Sequence, residues 1–172
     1  MRTIKYIVIH CTAGPRTQKI SAILDFWKRV KGWKQVGYHK LISEDGTVEE
    51  LAKPEVVVNG VRGQNSHSYH ICYKGGQGGK DNRTDAQKAS LLSEIKKARV
   101  LFPNAQILGH RDLSPDLNDD GIISPNEWTK ECPSFDAKKE YENKKVLVGY
   151  NGIDGKEVTM SKFKEDINEI RD

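Results

Sequence analysis

The sequence predicts an α/β protein: a single domain with a mixed central β-sheet flanked by helices. Two observations carry this prediction. Short runs of β-branched and apolar residues alternate along the chain with segments whose apolar residues recur at helical spacing. Of the 172 residues, 36% are hydrophobic and 30% are charged, which is typical of one folded domain with a sizeable core.

The N-terminal third predicts one buried strand followed by one amphipathic helix. Residues Ile4 to Ile9 are largely β-branched and apolar, so we expect a strand that ends at His10. A polar loop follows, and apolar residues then recur at helical spacing from Ser21 to Lys31. Gly32 is placed where a helix stop is expected.

The middle of the chain predicts a hairpin and a further strand. Residues Gly37 to Ile42 form the next apolar run, and the Asp45-Gly46 turn leads back into Thr47 to Glu49. Residues 53–66 show no periodicity, so we expect irregular structure there. A strand is expected again over His70 to Tyr73.

The last part of the domain predicts two helices around a short strand. Asp85 is expected to cap a helix that runs to Val100. Its core-facing residues are expected to be Ala89, Leu92, Ile95 and Ala98. The strand over Gln106 to Leu108 would deliver His110, and Ser134 would cap a helix over Asp136 to Lys144.

The sequence divides into a domain over residues 1–145 and a C-terminal extension over residues 146–172. Within the extension, Asn151-Gly152 favours a turn and hence a small hairpin, and residues 161–170 favour a short helix. We expect the extension to pack on the domain.

Composition excludes several classes of protein. There is no apolar run of about 18 residues, so no membrane span is expected, and the N-terminus lacks the apolar stretch of a signal peptide. The net charge of +4 is too small to indicate nucleic acid but suits an acidic polymer such as a cell wall. Three scattered cysteines do not form a disulfide framework. Separately, we expect the protein to be a monomer.

His10, His110 and Cys132 are the candidate ligands of a metal ion. Imidazole nitrogen and thiolate sulfur are favoured ligands of Zn²⁺, and a catalytic zinc takes three protein ligands with water in the fourth position. An isolated histidine at a strand end is more often a structural residue. The second histidine and the cysteine are what favour a ligand here.

These residues belong to a series of motifs that resembles a known family. In chain order the motifs are His10 at a strand end, Gly32-Trp33, Gly37-Tyr38-His39, Asp45-Gly46-Thr47-Val48, Gly109-His110-Arg111-Asp112, and Lys130-Glu131-Cys132-Pro133-Ser134-Phe135-Asp136. Over Ile4 to Tyr141 the chain resembles the zinc-dependent N-acetylmuramoyl-L-alanine amidases of the bacteriophage-lysozyme and peptidoglycan-recognition-protein type. Each motif is weak alone, but their order and spacing together are specific.

The resemblance implies hydrolysis of the amide between N-acetylmuramic acid and L-alanine in peptidoglycan. It implies zinc ligands at His10, His110 and Cys132. It also implies that Tyr38 and Lys130 are catalytic. Tyr38 would donate its hydroxyl to the scissile carbonyl or hold the attacking water, and Lys130 would stabilise the oxyanion. Either residue could serve in proton transfer. An enzyme of this type would be made in the cytoplasm and act on the cell wall after release or export, as a phage endolysin, a recycling enzyme or a toxin.

The resemblance also bears on polar residues outside the metal and catalytic positions. Asn65 and Ser68 match family positions that line the substrate groove. The His-Ala pair that many members carry is replaced by Asn59-Gly60. The other thiols and imidazoles are expected to lie outside the metal site: Cys11 and Cys72 as buried thiols, His39 as a structural residue, and His67 and His70 at the surface or in the groove.

Two alternatives to an amidase stay open. Some members of the family bind peptidoglycan without cutting it, typically after losing the cysteine ligand, so the presence of Cys132 favours an enzyme. A purely structural zinc protein is the third possibility, and an open coordination position would argue against it.

The insertion between His110 and Lys130 predicts a calcium loop. Asp116, Asn118 and Asp120 occupy positions one, three and five of a twelve-residue EF-hand loop, with Gly121 at six. Ile122 would offer its carbonyl at position seven, and Glu127 is the acid at twelve. The alternative is an acidic surface turn. If calcium binds, it would order the segment that leads to Cys132.

Overall fold

Five strands form the central sheet of the protein, for which a computed structural model describes residues 2–142, 150–151 and 157–158. The strands are β1 Tyr6–Cys11, β2 Lys40–Ile42, β3 Val48–Glu50, β4 Ser68–Tyr73 and β5 Gln106–Gly109. Their order across the sheet is β3-β2-β4-β1-β5. The pairs β2-β4, β4-β1 and β1-β5 are parallel and β2-β3 is antiparallel, so the mixed sheet is confirmed.

Helices cover both faces of this sheet. Helix α1 spans Ile20–Asp25 and continues as a π-helical segment over Phe26–Val30. Helix α2 spans Asp85–Leu101, and α3 spans Ala137–Glu142. Short 3₁₀ segments occur at Asn65–His67, Gln77–Gly79, His110–Leu113 and Pro125–Glu127. Within the described part of the chain, every helix is too short or too polar to cross a membrane.

All five strands differ from their predicted limits by a few residues, and the pairing explains the difference in β1 and β2. β1 extends past His10, since Cys11 is in register with Tyr73 of β4. β2 begins only at Lys40, where pairing with Glu50 of β3 begins.

The two faces of the sheet build two separate apolar clusters. Alternate residues of a strand point to opposite faces, so Ile7, Ile9 and Cys11 share one face. That face packs against α2 and α3 through Leu91, Ile95, Ala98, Ala137 and Tyr141. On the other face, Ile23 and Trp27 pack on Leu41 and Cys72. Cys11 and Cys72 are both buried thiols.

Helix α2 differs from its prediction in its cap and in its buried face. Its N-cap is Thr84, whose hydroxyl accepts from the N–H of Gln87 at 3.0 Å while the Gln87 side chain accepts from the N–H of Thr84. Asp85 is the first helical residue. The buried apolar residues are Leu91, Ile95 and Ala98, whereas Ala89 is exposed and Leu92 is only partly buried.

Helix α3 is capped by Asp136 and not by Ser134. Oδ1 of Asp136 accepts a hydrogen bond from the N–H of Lys139 at 2.9 Å, as an N-cap side chain does. The Ser134 hydroxyl lies 3.5 Å from Sγ of Cys11 and 3.4 Å from the carbonyl oxygen of Gly76. Ser134 therefore fixes the Cys132 segment against the loop that follows β4.

The C-terminal extension is described only in part. Tyr150–Asn151 and Glu157–Val158 form an antiparallel pair of strands, β6 and β7, within the region where a hairpin is predicted. The predicted helix over residues 161–170 and the packing of the extension on the domain lie outside the described residues.

Candidate metal centre

Two histidines lie side by side at the carboxyl ends of the neighbouring parallel strands β1 and β5. Ile9 of β1 is in register with Gly109 of β5, so the next residues, His10 and His110, lie next to each other. His10 is fully buried, and His110 opens the 3₁₀ segment after β5 and is partly exposed. The ring centroids are 4.9 Å apart.

Cys132 joins these histidines through two backbone contacts. The N–H of Arg111 donates to the carbonyl oxygen of Cys132 at 2.9 Å, which ties the cysteine segment to the residue after His110. The N–H of Cys11 donates to Sγ of Cys132 at 3.2 Å. A backbone donor to sulfur stabilises the thiolate form that a metal ligand requires.

The separations of Nδ1 of His10 from the other two ligand atoms match those of a tetrahedral zinc site. Nδ1 of His10 lies 3.2 Å from Nδ1 of His110 and 3.7 Å from Sγ of Cys132, and all three atoms lie within 4.8 Å of one another. Zinc bond lengths of about 2.0–2.1 Å to nitrogen and about 2.3 Å to sulfur imply separations of about 3.3 Å and about 3.6 Å at tetrahedral angles. The three side chains therefore fit this ion.

The electrostatics of the site keep both imidazoles neutral. Burial lowers the pKa of His10 well below its usual value, and the charges of His110, His70 and Lys130 lower it further. Burial, followed by the charge of Lys130, lowers the pKa of His110 to about 4. Burial raises the pKa of the Cys132 thiol well above its usual value, so a cation beside the sulfur is needed to hold the thiolate.

Tyr38 and Lys130 both lie near this ligand group. The ring of Tyr38 is 4.9 Å from the ring of His10 and packs edge-on against Trp27. Burial raises the pKa of its phenol well above the usual value. Lys130 is exposed and close enough to lower the pKa of both histidines.

His70 lies next to the metal ligands, contrary to the sequence-based expectation of a surface or groove position. It is fully buried on β4, and its Nδ1 is 3.0 Å from Nε2 of His10. His39 is structural as expected: its Nδ1 accepts from the N–H of His70 at 2.9 Å, and its Nε2 is 3.1 Å from the carbonyl oxygen of Val56. His67 is partly exposed.

The motifs did not identify His70, because it belongs to none of the segments whose order and spacing resemble the family. The available signal was its place in a buried parallel strand. Val8 and His70 are in register, and His10 and Cys72 are the next such pair on the same face. A histidine in the middle of such a strand needs a polar partner, and His10 is within reach.

Asn65 and Ser68 make hydrogen bonds to the irregular segment before β4. Oδ1 of Asn65 accepts from the N–H of Val61 at 2.7 Å. Ser68 is fully buried, and its hydroxyl donates to the carbonyl oxygen of Gln64 at 2.8 Å. Oδ1 of Asn65 and the hydroxyl of Ser68 thus bind the chain's own backbone, and a role of either residue in substrate binding stays a prediction.

The predicted calcium loop is present as a turn, but its carboxylates do not converge. Asp116 accepts from the N–H of Gly121 at 2.7 Å, and Glu127 accepts from the N–H groups of Leu117 and Ser124 at 2.8 Å. In the described parts of the chain, His10, His110 and Cys132 are the one group of His, Cys, Asp or Glu residues with ligand atoms close enough to share a metal.

Comparison with known proteins identifies a family that the chain matches. Residues 1–134 match the family described as N-acetylmuramoyl-L-alanine amidase. The endolysin of Klebsiella phage KP32 is 32% identical over 151 residues, which cover 85% of this chain and 91% of the phage protein. The endolysin of Escherichia phage T7 is 30% identical over 151 residues, which cover 85% and 91% of the two chains.

A solved structure shares the fold. The endolysin of Thermus scotoductus MAT2119 bacteriophage Ph2119 superposes with a TM-score of 0.64 at 26% identity. The match covers 77% of this chain and 79% of the phage protein. Sequence and fold thus indicate the same group of proteins.

Proposed function

The chain belongs to the N-acetylmuramoyl-L-alanine amidase family, and we propose that zinc held by His10, His110 and Cys132 supports its hydrolysis of peptidoglycan. The bond cleaved is the amide that joins N-acetylmuramic acid to L-alanine. The observation that carries the proposal is the convergence of two Nδ1 atoms and one Sγ atom at zinc-ligand spacing. The related phage proteins are named endolysins, and we assign this chain the same site of action, the cell wall after release.

The protein's own groups prepare the site before substrate arrives. Burial keeps the imidazoles of His10 and His110 neutral, so their lone pairs are free for a cation. When bound, zinc polarises the amide carbonyl and makes water a stronger nucleophile near neutral pH. The N–H of Cys11 helps to hold the negative charge on Sγ of Cys132.

Lys130 and Tyr38 supply the groups that act on the substrate. The ammonium of Lys130 stands near His10 and His110 and would stabilise negative charge on the carbonyl oxygen as the tetrahedral intermediate forms. Tyr38 stays protonated because burial raises the pKa of its phenol, so it can donate a hydrogen bond.

The alternative is a peptidoglycan-binding module of the same fold without hydrolysis. Such a module does not need a buried thiolate beside two neutral imidazoles. The complete set of three ligand atoms in this chain therefore favours the enzyme.

The test is product analysis on purified peptidoglycan. The wild type should release L-alanine amino groups while leaving the glycan chains intact, and a chelator should stop the release until zinc is restored. His110→Ala should be inactive. The control His67→Ala changes a histidine outside the ligand group and should stay active. Binding of peptidoglycan without new amino groups would establish the binding module instead.

We propose calcium binding by residues 116–127 as a separate property of the chain. The oxygen ligands recur at the spacing of an EF-hand loop, and Gly121 has the positive φ, 81°, that position six requires. Oδ1 of Asp116 is buried and has no hydrogen-bond partner among the described residues. Binding would require Glu127 to exchange its backbone partners for the ion.

A further inference from the structure

His70 lies directly behind the proposed zinc ligand His10. His70 and His10 occupy neighbouring parallel strands and point to the same face, because Val8 pairs with His70 and His10 pairs with Cys72. Nδ1 of His70 is 3.0 Å from Nε2 of His10, and both side chains are fully buried. Their ring planes are inclined by 56°.

The ligand geometry decides which of these two nitrogens carries the proton. Nδ1 of His10 faces Nδ1 of His110 and Sγ of Cys132, so Nδ1 is its ligand atom and carries no proton. A neutral imidazole then has its proton on Nε2. That N–H donates to Nδ1 of His70, and His70 in turn must carry its own proton on Nε2.

The surroundings of His70 hold its ring in this orientation. The backbone N–H of His70 donates to Nδ1 of His39 at 2.9 Å, and the two rings stack with an interplanar angle of 11°. Gly60 approaches the ring so closely that a Cβ at this position would lie 2.4 Å from Nδ1 of His70. The Ala of the family's His-Ala pair could not occupy position 60 beside this ring.

The hydrogen bonding of His70 argues against a purely structural role. Its Nε2 is buried and has no hydrogen-bond partner among the residues that the structure describes. A buried polar atom left in this way weakens folding, so it calls for a functional explanation. The one satisfied ring nitrogen of His70 is the one that faces His10.

We propose that His70 is a positioning residue, whose Nδ1 accepts the proton of His10 Nε2 and thereby fixes the tautomer and ring orientation of a zinc ligand. Metal-binding histidines commonly donate their second N–H to a carboxylate, a carbonyl or water, and the partner raises the basicity of the ligand. Here a second imidazole takes this place. The inference rests on the proposed zinc site.

Zinc affinity of the full-length protein, measured by competition with a chromophoric chelator, tests the inference. His70→Leu removes the acceptor and should weaken zinc binding about 10–100-fold. His70→Asn places an amide oxygen near the position of Nδ1 and should restore most of the loss. His67→Leu, the control, changes a partly exposed histidine outside the ligand group and should bind zinc like the wild type.

Each result separates this inference from the proposed function. A wild type that does not bind zinc contradicts the zinc site itself. A wild type that binds zinc while His70→Leu binds it equally well, or His70→Asn as poorly as His70→Leu, contradicts only the role of His70.

A second measurement on the wild type does not depend on the folding of a variant. Long-range ¹H–¹⁵N spectra of the zinc-loaded protein report which nitrogen of each imidazole carries the proton. We expect protons on Nε2 of His10 and on Nε2 of His70. A proton on Nδ1 of His70 would overturn the inference.

Discussion

At the scale of single residues, the proposed ligand atoms of His10, His110 and Cys132 face one another at short range. Two neutral imidazoles present Nδ1 atoms 3.2 Å apart, with a sulfur 3.7 Å from one of them. Burial of His10 and Cys132 removes the water that would otherwise separate these atoms. A proton or a cation between the atoms relieves the repulsion of their lone pairs, and one cation can do so for all three atoms, which is the physical basis of the proposed zinc site.

Lys130→Ala and Tyr38→Phe should lower kcat without removing zinc. Each variant loses a group that would stabilise charge only as the tetrahedral intermediate forms, so kcat should fall about 10²–10³-fold with little change in KM. Steady-state kinetics on a soluble muramoyl-peptide measure this. Lys96→Ala removes an exposed lysine on α2 and should keep the wild-type rate, which controls for net charge. Full activity of either first variant would remove that residue from the mechanism.

His39 should make the stability of the fold depend on pH. Burial, reinforced by the charge of Arg2, lowers the pKa of His39 to about 4 from a usual value of 6.5. The unfolded chain therefore takes up this proton first, and the free energy of unfolding falls as the pH drops through this range. Between about pH 7 and about pH 5 the contribution of His39 should fall by about 2 kcal/mol.

Urea unfolding in a chelator measures this effect without a contribution from zinc binding. His39→Asn does not titrate, and its amide oxygen can accept the N–H of His70 as Nδ1 does. The variant should lose less stability than the wild type on acidification. Parallel pH dependence of the two proteins would show that His39 is not responsible.

Sequence reasoning identified the three proposed zinc ligands, which the structure brings together, but not the residue behind them. His10, His110 and Cys132 belong to motifs of fixed order. The position of His70 beside His10 is determined by the register of β1 and β4. Register is a tertiary property. Cross-strand neighbours cannot be read from either strand alone, and this explains why His70 was expected elsewhere.

At the scale of elements, a buried arginine joins the loop before α2 to α3. The guanidinium of Arg83 pairs with Asp81 and Glu140 at 2.9 Å and lies 3.3 Å from the ring centroid of Phe135. Its side chain is 2% exposed. Because α3 directly follows the Cys132 segment, this contact helps to hold the third ligand in place.

Arg83→Ala should destabilise the protein by about 3 kcal/mol or more, because two partly buried carboxylates lose their partner. Lys88→Ala breaks an exposed pair with Asp85 and should change stability by less than about 1 kcal/mol. Denaturant unfolding of both variants makes the comparison. Equal effects would mean that Arg83 contributes no more than a surface ion pair.

The loop over residues 116–127 should bind calcium through its own carboxylates. Calorimetric titration of calcium into the full-length protein should show one site, which Asp116→Ala and Glu127→Gln weaken or remove. Asp119→Ala alters the acid between positions three and five and serves as the matched control. Absence of binding at millimolar calcium, or equal binding by all variants, would show that the loop is only a surface turn.

The ends of helices show where pattern reasoning reaches its limit. Thr84 and Asp85 are both good N-cap residues, as are Ser134 and Asp136, and sequence alone does not choose between such neighbours. The neighbouring residues determine which one caps the helix. Gln87 completes a capping box with Thr84, whereas the hydroxyl of Ser134 donates to the carbonyl oxygen of Gly76. The existence and order of the elements, by contrast, follow from their apolar patterns.

For the whole molecule, the parallel core of the sheet explains how distant segments meet. β4, β1 and β5 run in the same direction, so residues at their carboxyl ends gather at one edge. His10 and His110 come from adjacent strands, and the Cys132 segment returns to the same edge by pairing with Arg111. One topology thus brings together proposed ligands that lie up to 122 residues apart in the chain.

The central claim is that zinc is held by two imidazoles and one thiolate, and X-ray absorption at the zinc edge tests it most directly. The zinc-loaded protein should show one sulfur at about 2.3 Å and nitrogen or oxygen neighbours at about 2.0–2.1 Å. The sulfur contribution should vanish in Cys132→Ala and persist in Cys72→Ala. A wild-type spectrum without sulfur, or a protein that retains no zinc, would contradict the account.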